Sequence, residues 1–208
     1  GMDLASMWIE QGRAEVALVV AAESSRHVTR RTVERLLAPT STMQDFKEAL
    51  PTLTLGSGAV AMVLVHESLA STNHRVTGAV SLGDGASSTI CLGTADWMRT
   101  DAQRLLQNDL ALRTWKRAED TLGWTREGLA QLICHQVGAT HMATLFQRLE
   151  LDLDRAFLTY PELGNIGPAA VPLTLGLAVD AGRIKDGDRV ALMGIGSGLS
   201  CMMTEVVW

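Results

Sequence analysis

Two polar residues in the C-terminal half of the sequence have the type and setting of groups that stabilise an oxyanion. His135 follows the apolar run 129–134, and Asn165 lies in a Gly-Asn-Ile-Gly-Pro turn ahead of a long apolar segment. Strand ends display functional groups in α/β proteins, and imidazole and amide N–H groups can both donate to a developing oxyanion. The pair therefore predicts an oxyanion-binding site. The alternatives stay open: His135 suits a buried core equally well, and Asn165 suits a helix cap or turn.

The densest glycine cluster, residues 194–198, lacks the pattern of a nucleotide-binding loop. A dinucleotide fingerprint needs a third glycine where Leu199 stands, and a phosphate loop needs a lysine that the segment does not contain. We predict a tight hairpin bend at Gly196, Ser197 and Gly198. A second interpretation is that the backbone of this bend borders an active site.

Other catalytic classes find no support in the residue spacings. His141 lies six residues after His135, which is not the spacing of a helical HExxH zinc motif. No serine stands in a Gly-x-Ser-x-Gly pattern, and the cysteines form no CxxC pair. We therefore expect neither a metal nor a cofactor. Two cysteines, Cys134 and Cys201, lie in apolar strands and should be inert, while Cys91 lies in a polar segment and is only a weak nucleophile candidate.

The composition excludes several functional classes. The chain has 208 residues, 47% of them hydrophobic, with 18 Lys+Arg against 23 Asp+Glu and a formal net charge of −5. This amount of apolar material suits one compact domain or two fused small ones. The acidic balance argues against a nucleic-acid partner, and no apolar stretch approaches the roughly 20 residues that span a bilayer. We expect a soluble, cytoplasmic protein.

The order of predicted elements indicates the α/β class, with a mixed sheet covered by helices on both faces. The predicted helices are 2–11, 29–37, 43–50 (ended by Pro51), a single helix over 101–122, a short one from Thr125, 139–149, and an internal helix over 168–181. The predicted strands are 15–22 (buried on both faces), 59–66, 75–82 (beside 59–66), 129–135, 157–160, 189–195 and 199–208.

Taken in order, five motifs resemble the thiolase-fold β-ketoacyl synthase III family. They are 55–59 (LGSGA), 134–137 (CHQV) with His141, 164–172 (GNIGPAAVP), 182–189 (GRIKDGDR) and 194–199 (GIGSGL). Within the family, the residues of these motifs are most similar to those of synthases that condense two long acyl-CoA chains head to head for olefin biosynthesis. Synthases that start fatty-acid biosynthesis rank second. The resemblance implies a thiolase-like fold, with 1–85 as the remnant of an N-terminal half-domain and 86–208 as a complete C-terminal half-domain.

The resemblance also implies an activity, that of an acyltransferase. In the family's ping-pong Claisen condensation, a cysteine accepts an acyl group from an acyl-CoA or acyl-ACP thioester, and a second thioester becomes the carbon nucleophile. By this likeness, the catalytic residues His135 and Asn165 are the two donors that hold the second thioester carbonyl. Gly196, Ser197 and Gly198 match the glycine-rich loop of the substrate site, and the Gly56–Gly58 turn matches the loop entering the last strand of the N-terminal half.

The sequence departs from the family at the nucleophile. The family's cysteine stands at the start of a buried helix whose later part matches residues 2–11, so the equivalent cysteine would lie upstream of Gly1. We therefore expect the chain alone to be inactive, as a piece or subunit of a synthase that works as a homodimer or with a Cys-bearing N-terminal half. The alternatives are a non-catalytic homologue that binds an acyl thioester or pairs with an active subunit, and an unproductive truncation.

Overall fold

The computed structural model describes residues 1–94 and 96–208. Its α-helices are α1 (Met2–Glu10), α2 (Arg26–Leu36), α3 (Met43–Leu53), α4 (Ala102–Gln107), α5 (Leu110–Leu122), α6 (Ala139–Leu149), α7 (Tyr160–Leu163) and α8 (Ala170–Asp180). Its strands are β1 (Val16–Glu23), β2 (Gly58–Val65), β3 (Arg75–Gly83), β4 (Cys91–Gly93), β5 (Met98–Thr100), β6 (Gln131–Cys134), β7 (Arg189–Gly196) and β8 (Ser200–Val207).

The main sheet has the order β3-β8-β7-β6 and is mixed, because β6 and β7 are parallel while the other pairs are antiparallel. Successive strand residues point to opposite faces, and both faces are covered. On β6, Leu132 packs in a cluster with Trp115 of α5 and Phe146 of α6. The next residue, Ile133, packs on the other face with Leu175 of α8. The predicted α/β class and mixed sheet with helices on both faces are confirmed.

The strands β1 and β2 form a separate antiparallel pair in which Val16 lies opposite Val65. We predicted that the first of these strands is buried on both faces, and this is wrong. Alternate residues of β1 are exposed, including Leu18 at 63% and Val20 at 64%. Among the described residues, helices and turns cover only the opposite face of this pair, so an apolar strand has one solvent-facing side.

The strand β3 does not pair with β2, as we predicted, but with β8, where Arg75 lies opposite Val207. Its alternating pattern indicates a strand but does not specify a partner, because strand pairing is a long-range choice. The predicted division between residues 85 and 86 stays a prediction. A strand from the N-terminal side of that boundary thus completes the main sheet.

Two predicted helix ends differ in the structure. The helix α3 continues through Pro51 to Leu53, although Pro51 has no backbone N–H to donate to the carbonyl one turn earlier. The predicted single helix over 101–122 is divided into α4 and α5. At the break, Asn108 has an extended backbone (φ −65°, ψ 136°), and its Oδ1 accepts a hydrogen bond of 2.8 Å from the Leu110 N–H.

Three further local predictions need correction. Residues 126–128 form a turn rather than a helix, and the predicted strand over 157–160 is absent from the described structure, where α7 begins at Tyr160 and only Ala156 bridges to Leu132. The predicted internal helix begins as a short 3-10 turn over Gly167–Ala169 and continues as α8. Gly176 of α8 is exposed, so this helix is not enclosed all round.

The helices of residues 1–94 and 96–208 include none with the length and apolarity needed to cross a membrane.

Candidate functional site

His135 stands directly after β6 and lines a narrow cavity of about 40 Å³. Its backbone N–H donates a 2.8 Å hydrogen bond to the Met193 carbonyl, which extends the parallel pairing of β6 and β7 by one step and fixes the start of the side chain. Most of the cavity wall is apolar and comes from α4, α5, β7 and β8. These wall residues include Leu105, Leu106, Ala111, Leu112, Met193, Ile195 and Met203.

Burial determines the charge of His135. Desolvation, followed by the nearby imidazole of His141, lowers the pKa of His135 to about 4, and the backbone of Gly167 opposes this shift. The ring is therefore neutral at pH 7, with one N–H donor and one acceptor nitrogen. A neutral imidazole can donate to an oxyanion without bringing an unpaired positive charge into an apolar site.

His141 of α6 lines the same cavity, and burial lowers its pKa as well. Its Nδ1 is buried and has no hydrogen-bond partner among the described residues. The spacing of His141 in the sequence excluded a zinc motif and extended the family match, but it did not predict a place for this residue in the site. The helical spacing could have indicated that His141 faces the site. Helix α6 was predicted correctly as 139–149, and positions 141, 144, 145 and 148 share one helix face toward the cavity.

Asn165 and His135 both lie near Gly167. The Oδ1 of Asn165 accepts a 3.1 Å hydrogen bond from the Gly167 N–H. Since only the oxygen of an amide can accept, this bond fixes the orientation of the side chain and leaves Nδ2 as the outward donor. The backbone of the same glycine also acts on the His135 ring, because it raises the pKa of the ring against the larger effect of burial. Both predicted donors therefore lie near Gly167, although Asn165 is not part of the wall of the 40 Å³ cavity.

Gln136 supports this arrangement from inside the core, a role that the sequence analysis did not predict. It is buried, and its Nε2 donates to the Phe157 carbonyl at 2.8 Å. Its Oε1 accepts from the Thr159 and Tyr160 N–H groups at 2.8 and 3.0 Å. These bonds hold the segment that leads to Asn165 beside the end of β6.

Gly196, Ser197 and Gly198 lie at the bend between β7 and β8, as predicted. Gly196 pairs with Ser200, and Gly198 has a φ of +132°, which glycine adopts readily. Gly196 and Ser197 are exposed, and the cavity is bordered by the preceding Gly194 and Ile195 instead. A substrate-binding role for the bend remains a prediction.

The buried cysteines are poor nucleophiles. Burial, and to a lesser degree the neighbouring Cys201, raises the pKa of Cys134 to about 12, and burial raises the pKa of Cys201. A thiol with a raised pKa holds little thiolate at pH 7. Cys91 is half-buried at the start of β4 and packs against the main core.

Comparison with known proteins agrees with this fold. Residues 120–208 match the family described as 3-oxoacyl-[acyl-carrier-protein] synthase III C terminal. The whole chain is 41% identical to an acyl-CoA:acyl-CoA alkyltransferase from Xanthomonas campestris and spans 62% of its length. It is 38% identical to the enzyme of that name from Shewanella oneidensis and spans 63% of its length. It is also 27% identical over 98% of its length to a β-ketoacyl-[acyl-carrier-protein] synthase III from Agrobacterium fabrum and spans 62% of that protein.

Solved structures of OleA and FabH also match the chain. A crystal structure of cerulenin-bound OleA from Xanthomonas campestris matches the whole chain with a TM-score of 0.97 at 41% identity, over 61% of its own length. A synthase III, FabH, from Xanthomonas oryzae pv. oryzae matches with a TM-score of 0.96 at 40% identity, over 62% of its length. The resemblance to the synthase III family is confirmed: residues 120–208 are similar to the C-terminal domain of synthase III, and the whole chain has the thiolase-like fold of the corresponding part of OleA and FabH.

Proposed function

We propose that this chain is part of an acyltransferase that joins two acyl thioesters by Claisen condensation, and that it carries the groups that activate the second thioester. The observation that supports this most is that a neutral His135 and the Asn165 amide both lie near Gly167. The apolar wall beside His135 suits an acyl chain. The two donors suit the carbonyl oxygen of a thioester.

The proposed reaction has two halves. A cysteine thiolate attacks the carbonyl of an acyl-CoA or acyl-ACP thioester, the carbon–sulfur bond breaks, and the carrier thiol leaves. A second acyl thioester then loses an α-proton to a base and becomes an enolate. The enolate carbon attacks the acyl-cysteine carbonyl, a carbon–carbon bond forms, and the cysteine thiolate leaves. His135 and Asn165 donate to the enolate oxygen, and such a donor is commonly worth about 3 kcal/mol.

The attacking thiol in this proposal belongs to a polypeptide outside these 208 residues. Burial and raised pKa values argue against Cys134 and Cys201. The chain spans 62% of the length of its Xanthomonas campestris relative. We propose that it works as a homodimer or with a Cys-bearing N-terminal half as partner. We place this acyltransferase in the cytoplasm, in fatty-acid or olefin biosynthesis.

The setting of the cysteines also supports a second candidate function. A chain without an activated thiol can bind an acyl thioester or serve as the partner subunit of an active synthase. The two candidates differ in whether addition of a Cys-bearing half produces turnover.

Reconstitution tests the proposal. The 208-residue chain is mixed with the Cys-bearing N-terminal part of the Xanthomonas campestris relative, and condensation of a long-chain acyl-CoA is measured. In an active mixture, His135→Ala or Asn165→Ala should lower condensation by about 10²–10³-fold. Acylation of the cysteine, measured by mass spectrometry, should stay near its level in the complex without the substitution. The exposed Thr121→Ala variant is the control.

Each outcome decides between the alternatives. A folded complex without turnover would exclude the split enzyme, and binding of acyl-CoA by the chain alone, without a covalent adduct, would then favour the non-catalytic subunit. Equal loss of both half-reactions in His135→Ala would refute the oxyanion assignment. A covalent acyl adduct on Cys91 would contradict the proposal that the thiol comes from elsewhere.

A further inference from the structure

The loop that carries Asn165 is interlocked with the turn that leads into β2. The Asn165 N–H donates to the Thr54 carbonyl at 2.9 Å, and the Gly56 N–H donates to the Asn165 carbonyl at 2.8 Å. Together these bonds form a one-residue parallel bridge between Leu55 and Asn165. The backbone of Asn165 is therefore held on both sides by a segment far away in the sequence.

Two glycines make this crossing possible. A Cβ atom on Gly56 would lie 1.7 Å from the Leu163 carbonyl oxygen and 2.9 Å from its carbon. On the opposing segment, a Cβ on Gly164 would lie 2.6 Å from the Thr54 carbonyl oxygen, and Gly164 also has a φ of +66°. These neighbours are backbone atoms, so no side-chain rotation can relieve the overlap. Any side chain at position 56 must push the two segments apart.

We propose that Gly56 is a positioning residue for Asn165: by admitting the Leu163 carbonyl against its own Cα, it sets the place of the Asn165 amide relative to His135. The catalytic meaning of this inference rests on the proposed function, while the interlock itself does not. His135 is anchored separately, through the Met193 carbonyl on β7. A shift of residues 163–165 therefore moves the Asn165 amide relative to the His135 backbone, which stays paired with β7.

The expected effect on catalysis is large because two donors must converge on one oxygen. A misplacement of about 1 Å can cost about 10²-fold in rate. The local turn of Asn165, with Oδ1 accepting from Gly167, can survive such a shift. Its Nδ2 would then point correctly within the turn but lie in the wrong place relative to His135.

A spectroscopic experiment on the full chain tests the interlock without any assay of turnover. The chain is labelled with ¹⁵N-asparagine, and the backbone and side-chain amide signals of Asn165 are compared between the unmodified chain and Gly56→Ala. Asn73 and Asn108 are the other two asparagines and serve as internal references. We expect displaced Asn165 signals and unchanged reference signals. Unchanged Asn165 signals in folded Gly56→Ala would overturn the proposal.

The matched control is Gly58→Ala, two residues further on. Its added Cβ would meet the ends of flexible side chains, Ile166 Cδ1 at 3.3 Å and Leu173 Cδ2 at 3.4 Å. Small side-chain adjustments can accommodate these contacts, so the Asn165 signals should stay near their original positions. Equal displacement in both variants would show a general loosening of the loop and would overturn the assignment to Gly56.

If Gly56→Ala does not fold, a measurement on the unmodified chain decides the matter. Scalar couplings across hydrogen bonds should connect the Asn165 N–H with the Thr54 carbonyl and the Gly56 N–H with the Asn165 carbonyl. Their absence would refute the interlock.

In an active reconstituted complex, a double-mutant cycle adds the functional readout. Gly56→Ala should lower condensation at least 10-fold in the parent chain but have little further effect beside Asn165→Ala. Additive losses would show that Gly56 does not act through Asn165. Because the spectroscopic test needs no turnover, failure of the proposed function and failure of this inference give different results.

Discussion

At the scale of the residue, the surroundings of His135 decide what its imidazole can do. The ring is half-buried and largely desolvated beside a second half-buried histidine, His141, and both line one mainly apolar cavity. A neutral ring in such a place can act as a hydrogen-bond donor at any pH near 7. The same burial makes protonation costly, and this cost should appear in the stability of the chain.

We predict that burial of His135 makes the chain less stable in mild acid. Its pKa in the folded state is about 4, below the ordinary value of 6.5, so between these values the unfolded chain binds a proton that the folded chain does not. Stability is therefore retained above pH 6.5 and declines as the pH falls toward 4. The contribution of His135 should reduce the free energy of unfolding by roughly 2 kcal/mol between pH 7.5 and pH 5.

Urea unfolding of the chain at the two pH values, compared with His135→Leu, measures this contribution. The variant should lose less stability on acidification than the parent chain does, because it lacks the titrating ring. Replacement of the exposed His66 with Gln is the control and should retain the parent pH dependence. The same pH dependence in His135→Leu and the parent would contradict a buried, neutral His135.

At the scale of the element, the break between α4 and α5 places a residue of a helix-forming sequence, Asn108, in the wall of the site. The Asn108 side chain accepts from the Leu110 N–H at the start of α5 and donates to Ser87 Oγ at 3.0 Å and Asp84 Oδ2 at 3.2 Å. Arg148 of α6 donates to the Asn108 carbonyl at 2.7 Å. The break is thus hydrogen-bonded on three sides, and Asn108 borders the same cavity as His135.

Asn108→Ala should lower the free energy of unfolding by about 2 kcal/mol, because it leaves the Leu110 N–H without its acceptor and removes the amide donor shared by Asp84 and Ser87. Chemical denaturation measures the loss. The control is Asp109→Ala, which removes only an exposed ion pair with Arg113 and should cost about 0.5 kcal/mol. Equal losses in the two variants would show that the Asn108 contacts do not stabilise the break.

At the scale of the whole molecule, the two sheets differ in how they are covered. The main sheet has packed clusters on both faces. The β1–β2 pair leaves an apolar face open, with Leu18, Val20 and Val63 each 63–66% exposed. Large exposed apolar patches favour association, and this face also has open strand edges among the described residues.

We predict that the isolated chain self-associates through this face. Sedimentation velocity should show a concentration-dependent shift to larger species, and Leu18→Lys combined with Val63→Lys should move the population toward monomer, because two charges would then be buried in any such contact. Thr121→Lys on the exposed side of α5 adds the same charge elsewhere and should change nothing. A purely monomeric parent chain at all concentrations would refute the prediction.

The local features of the chain were predictable because they depend on neighbours in sequence. Helix α6 was predicted with its observed bounds of 139–149, and the hairpin of β7 and β8 was predicted from its glycine bend. His135 was placed correctly after its strand. The closeness of His135 and Asn165 was predicted only from a family resemblance, because no rule of spacing places two segments that lie 30 residues apart in the sequence near one glycine.

The sequence by itself determined most of the helical and extended segments, the acidic balance and the chemical types of the two donors, since periodicity, turn residues and side-chain chemistry are local properties. Tertiary structure alone decided the pairing of β3 with β8, the open face of β1, the break at Asn108 and the crossing of Gly56 with the Leu163–Asn165 segment. Each of these depends on contacts between distant parts of the chain, and such contacts are selected by the packing of the whole molecule rather than by any short stretch of sequence.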